Sequence, residues 1–87
     1  MIGWVDQISN NYMIKEIDIV DIQNICWDIN QLKVDRLIYL TNLFFQGIEI
    51  DPIEVRKSTK GYYLIDGSHR LNVYKKQGVL RVKAKVL

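Results

Sequence analysis

The stretch that decides the fold is Tyr62-Tyr63-Leu64-Ile65-Asp66-Gly67-Ser68-His69-Arg70-Leu71. Tyr62 to Ile65 is aromatic and aliphatic, which suits a strand, and Asp66-Gly67 stops it. Ser68 then opens a short helix running to Gln77, with Leu71 and Tyr74 inward and Gly78 just past its end. A strand that feeds through a glycine into a helix leaves the first helical N–H groups without an intrahelical acceptor. Together with the helix dipole these groups favour an anion, and Gly67 permits close approach of a phosphate. Ser68 can add a hydroxyl, Arg70 can grip phosphate oxygens with two parallel bonds, and His69 can donate a hydrogen bond or shuttle a proton. The same residues also read as a plain turn, with Ser68 as cap, Arg70 on the surface and His69 bonded to nearby backbone. Spacing alone leaves both readings open.

Upstream, Asp51-Pro52 opens another strand in which Ile53 and Val55 alternate with Glu54 and Arg56. Ser58-Thr59-Lys60-Gly61 supplies turn chemistry, so this strand and Tyr62–Ile65 form a hairpin. Tyr62 and Tyr63 are adjacent and must face opposite ways. Val34, Leu37, Ile38, Thr41, Phe44 and Phe45 follow the i, i+3, i+4 spacing of the main core helix, which Gly47 ends. Ile14 to Val20 alternates as a half-buried strand, and Asn10-Asn11 reads as a turn. Asn24 to Gln31 reads as an irregular connection that places Cys26-Trp27 in the core or as its lid. Downstream, Leu80, Val82, Ala84 and Val86 alternate with Arg81, Lys83 and Lys85 in a last strand. The order strand, helix, strand, strand, helix, strand predicts one α+β domain over residues 1–87, a mixed sheet with two main helices. Residues 1–13 form an N-terminal extension to it.

Composition narrows the classes. The chain of 87 residues is 48% hydrophobic and 25% charged, which fits a small globular core and excludes disorder or a fibre. One cysteine excludes a disulfide framework, and one histidine leaves no metal-ligand set. No run is apolar enough to span a bilayer and no signal peptide is visible, so the expected setting is cytoplasmic. Charge is uneven: residues 1–50 carry three bases against seven acids, and residues 51–87 carry nine bases against three acids. The basic half suggests an anionic partner, unless the halves neutralise each other in the fold. Lys75, Lys76, Arg81, Lys83 and Lys85 make a candidate nucleic-acid or partner face. The reading preferred for the last strand is edge protection, because no aromatic platform interleaves its charges. No nucleophile and base can be paired from the sequence, so catalytic residues stay unassigned.

Gly67-Ser68-His69-Arg70-Leu71 after a tyrosine-rich strand, with Asp51-Pro52-Ile53-Glu54-Val55, Lys33-Val34-Asp35 and Val82-Lys83-Ala84-Lys85-Val86, resembles the ParB/sulfiredoxin superfamily. The resemblance covers nearly everything after residue 13. It implies a nucleotide-binding fold in which the turn Gly67 to Arg70 holds phosphates and Lys33 contacts the nucleotide: ATP, ADP or CTP, with magnesium. The family's next helix-face hydroxyls fall at Arg36 and Leu40, a departure in the base pocket. Sulfiredoxin keeps a reactive cysteine where this chain has Ser68. Serine cannot form the sulfur intermediate, which argues against sulfinic-acid reductase activity. The DNA-partitioning and kinase-like members of the superfamily are much longer.

Two functions follow as expectations. One is a stand-alone domain that binds nucleotide phosphates, with weak phosphotransfer or nucleotide hydrolysis as its extension. The other is a non-catalytic inhibitor or regulator of phage or plasmid type, which uses the fold as a scaffold against DNA or a nucleic-acid enzyme.

Overall fold

The computed structural model describes residues 7–9 and 12–87, and the side chains from Met13 onward. The expected turn at Asn10-Asn11 lies outside the described residues. Among the described residues eight regular elements follow one another: strands β1 (Gln7–Ser9), β2 (Tyr12–Asp18) and β3 (Ile22–Gln23), helix α1 (Val34–Phe45), strands β4 (Ile53–Ser58) and β5 (Gly61–Asp66), helix α2 (Ser68–Lys76) and strand β6 (Arg81–Val86). They make one six-stranded mixed sheet in the order β1-β2-β6-β4-β5-β3. β4 and β5 form the expected antiparallel hairpin, and β6 lies parallel to β4 and antiparallel to β2. The α+β architecture with two helices matches the sequence reading.

Alternation explains the core. Ile17 of β2, Ile53 and Val55 of β4, Leu64 of β5, and Val82 and Ala84 of β6 are all buried, and Leu71 of α2 packs against them. Their polar neighbours in the strands face outward, as the period of two requires. Tyr62 is half-buried against this core while Tyr63 is exposed, so the two tyrosines do face opposite ways. The expected strand at Ile14–Val20 begins earlier, at Tyr12, and ends at Asp18, where the chain tightens into a 3-10 turn over Ile19–Asp21. Ile19 stays in the core from that turn, and its N–H donates to the Leu80 carbonyl at 2.9 Å.

Three expectations are corrected. The last strand is central rather than at an edge, because β2 and β4 flank β6 on either side. Its basic residues therefore do not guard a free edge. Arg81 instead meets Asp18 at 3.0 Å and Glu16 at 3.5 Å, and Lys83 meets Glu49 at 3.2 Å. The acidic and basic halves neutralise each other here, through exposed pairs worth at most about 1 kcal/mol each. Second, the stripe of α1 that meets the core is rotated from the one expected. Leu40 is its buried residue at 3% exposure, while Val34, Ile38 and Phe45 are exposed. Third, Leu80 precedes β6 and is exposed rather than part of its buried face.

Candidate functional site

The turn from β5 into α2 is held by its glycine. Gly67 has φ +134°, a conformation open to glycine, and a Cβ there would lie 2.6 Å from Ile53 Cγ2 and 2.8 Å from Ile53 Cβ. The missing side chain thus lets β4 close against the turn, which accounts for this glycine by packing. α2 starts at once, with Leu71 N–H donating to the Gly67 carbonyl at 2.9 Å. The N–H groups of Ser68, His69 and Arg70 precede that first bond and have no acceptor within the helix.

Each side chain of the turn has a distinct structural partner. Ser68 Oγ accepts from the Cys26 backbone N–H at 3.0 Å. One turn later Asn72 Nδ2 donates to the Cys26 and Ser68 carbonyls, both at 2.8 Å. These bonds strap the connection carrying Cys26-Trp27 across the start of α2, and Lys75 Nζ covers the Trp27 ring at 4.7 Å from its centroid. Trp27 is 42% exposed, so this segment is a lid and not core.

Arg70 turns inward. It is only 8% exposed, and its Nη1 donates to the Pro52 carbonyl at 2.7 Å and the Asp51 carbonyl at 3.4 Å. Nη2 reaches Asp66 Oδ2 at 3.1 Å. The sequence reading aimed this guanidinium at a phosphate. In the fold it clamps the approach to β4 onto the corner between β5 and α2.

His69 faces the other way and joins the two helices. Its Nε2 accepts the Lys33 backbone N–H at 2.9 Å, so the neutral ring carries its proton on Nδ1. Lys33 is the residue that caps α1, and the bond therefore ties the start of α1 to the start of α2. Burial holds the imidazole pKa below its ordinary value, and the charges of Arg36 and Lys33 push it the same way. Lys33, Arg36 and Tyr39 recur three apart along one face of α1, and with Val34 and Asp35 they border a hollow of about 600 Å³. Tyr39 is largely exposed there.

The fold thus gathers Lys33, Ser68 and His69 with the free N–H groups of α2, while Arg70 supports them from beneath. Lys75 and Lys76 sit apart at the other end of α2, and Arg81 and Lys83 lie on the sheet with their acidic partners. Lys85 lies on β6 as well, opposite Ile14 of β2. The sequence reading missed Asn72, whose signal was its i+4 spacing from Ser68 on one helix face. It also missed Tyr39, and it took Arg36 only as a departure from a family pattern. Among the described residues no three His, Cys, Asp or Glu side chains gather as a metal would need.

Comparison with known proteins now places the chain. The model of the ParB N-terminal domain family matches residues 5–87, so the chain belongs to that family. Among curated proteins none matches significantly. Sulfiredoxin from Arabidopsis thaliana is similar in structure, with a TM-score of 0.72 at 23% identity over 86% of this chain and 84% of that one. The C-terminally truncated chromosome-partitioning protein ParB from Caulobacter crescentus, solved with CTP-gamma-S, has a TM-score of 0.65 at 23% identity over 85% of this chain. A Pnob8-like ParB-N domain has a TM-score of 0.65 at 22% identity over 88% of this chain. The chain spans 43% and 31% of those two ParB chains. At these identities the likeness is one of fold.

Proposed function

We propose that this member of the ParB N-terminal family binds a nucleoside triphosphate, with its phosphates at the start of α2. The observation that carries the reading is the His69–Lys33 bond, which brings the free N–H groups of α2 beside two exposed cations of α1, Lys33 and Arg36. An anion there gains from backbone donors, from the helix dipole and from two positive side chains at once. Ser68 stands at the first position of the helix and Gly67 just before it, so both border the phosphates. Arg70 acts as a positioning residue that fixes the turn. Tyr39, three residues past Arg36, offers an exposed ring on which the base can stack. The ParB of Caulobacter crescentus was solved with a CTP analogue, which makes CTP the first nucleotide to test and ATP and ADP the next. Magnesium would accompany the phosphates. Binding alone is proposed, without turnover.

The test is calorimetric titration of CTP, ATP and ADP with magnesium into the wild-type chain and into Lys33→Glu/Arg36→Glu. Both residues are exposed, so the pair reverses charge without touching the core. Micromolar binding that weakens at least about a hundredfold in the variant supports the reading, since two charged contacts are lost and inverted. Equal affinity in both proteins, or no heat with any nucleotide, removes it.

A further inference from the structure

α1 carries more apolar surface than the core uses. Val34 and Ile38 on α1, with Trp27 and Ile29 on the strap, are exposed together, and Leu37 and Val73 form the floor between them. They line a groove of about 500 Å³ between α1 and α2. Exposed apolar surface gathered in this way is uncommon on a chain that works alone, where large hydrophobic side chains are scattered singly.

The charge of the groove is one-sided. The charged residues lining it are Lys75 and Lys76, at one end, and neither forms an ion pair among the described residues. Lys75 lies over the Trp27 ring, which holds its ammonium at the rim. Asn42 and Asn72 add neutral polar groups to the lining. Among the described residues no strand borders the groove: its lining comes from the two helices and the strap, so an occupant cannot add to the sheet by backbone pairing. It must be recognised by side chains, as when an amphipathic helix lays one face between two others.

We propose that this groove is a docking site for an acidic amphipathic helix of a partner protein, its apolar face on Val34, Leu37, Ile38 and Trp27 and its carboxylates toward Lys75 and Lys76. Charge complementarity selects an acidic occupant over a basic one, and the apolar lining selects a helix face over a polar ligand. The groove meets the hollow bordered by Arg36 and Tyr39 only at Val34, and Ile38, Lys75 and Lys76 lie outside that hollow, so variants at these three test the groove without touching the proposed nucleotide site.

The experiment selects helical peptides from a displayed random library on the immobilised full chain, then measures the enriched peptides by fluorescence anisotropy. Expected are sequences with apolar residues at i, i+3 or i+4 and i+7 and with Asp or Glu at one end. Their affinity should fall at least about tenfold against Ile38→Glu and about tenfold against Lys75→Glu/Lys76→Glu. Ile38 is 56% exposed, so its variant should melt near the wild-type temperature; Ile29→Glu, at a groove residue 63% exposed, serves if it does not. No enrichment, enrichment of basic or uncharged peptides, or affinities indifferent to these variants would overturn the proposal. Sedimentation showing that the wild type pairs with itself, and that Ile38→Glu abolishes the pairing, would assign the face to a second copy and overturn it too.

Discussion

The two helices of this domain use their residues in opposite ways. α1 has eight apolar side chains in twelve positions, yet of these Leu40 alone is fully buried. α2 is the more polar helix, yet Arg70, Leu71 and Val73 are all buried. Position explains the difference. α2 follows β5 without a loop and leads back to the central strand β6, so it is drawn across the middle of the sheet. α1 is reached through the irregular strap and leaves by Gly47 and a loop, and it packs on α2 and along the margin of the core. Hydrophobicity therefore marks what a helix can bury, while connectivity decides what it does bury. The surplus on α1 becomes surface, and the polar start of α2 becomes a site.

The sharpest way to break this comparison is to truncate two neighbours on α1. Leu40→Ala should cost about 3 kcal/mol and Ile38→Ala less than about 1 kcal/mol, read by urea unfolding. Similar losses would mean that both faces of α1 carry the core. The corresponding test on α2 is Arg70→Ala, expected to cost about 2 to 3 kcal/mol because the Asp51 and Pro52 carbonyls lose their donor. A variant as stable as wild type would return Arg70 to the role of a surface cation. The smallest effect belongs to His69. Its pKa is lowered in the fold, so the folded state holds fewer protons than the unfolded one in the window from that lowered value up to about 6.5. Stability should therefore rise with pH across that window and level off above it. His69→Gln should flatten the rise in denaturant titrations run from pH 5 to 8. An unchanged slope in the variant would show that another group sets it.

Much of this architecture was legible because its signals are local. The hairpin from Ile53 to Asp66, the short helix after Gly67 and the alternation from Arg81 to Val86 are each written within ten or so residues, and each lies where its pattern put it. The failures are non-local. Lysines on alternate positions of a strand look the same at an edge or at the centre, and only the pairing of β6 with β2 and β4 tells the two apart. The inward face of α1 was misread because apolar residues occur almost all the way round it, so the i, i+3, i+4 rule fits more than one stripe. β3 is two residues long, too short for any period. At the candidate site the sequence located the turn and Lys33, and the match to the ParB N-terminal domain family agrees with the resemblance read from those residues. It could not tell that Arg70 points in and His69 points across, because neighbouring helical positions differ by about 100° and nothing local says which direction is the core.

The central claim is that α2 begins at a nucleotide-phosphate site completed by α1. The most direct measurement is an amide nitrogen–proton NMR titration of the full chain with CTP and magnesium. The account predicts that the largest shifts fall on the backbone N–H groups of Ser68, His69 and Arg70, with Lys33 and Arg36 next. Shifts centred instead on Arg81 to Lys85, or none at saturating nucleotide, would contradict it.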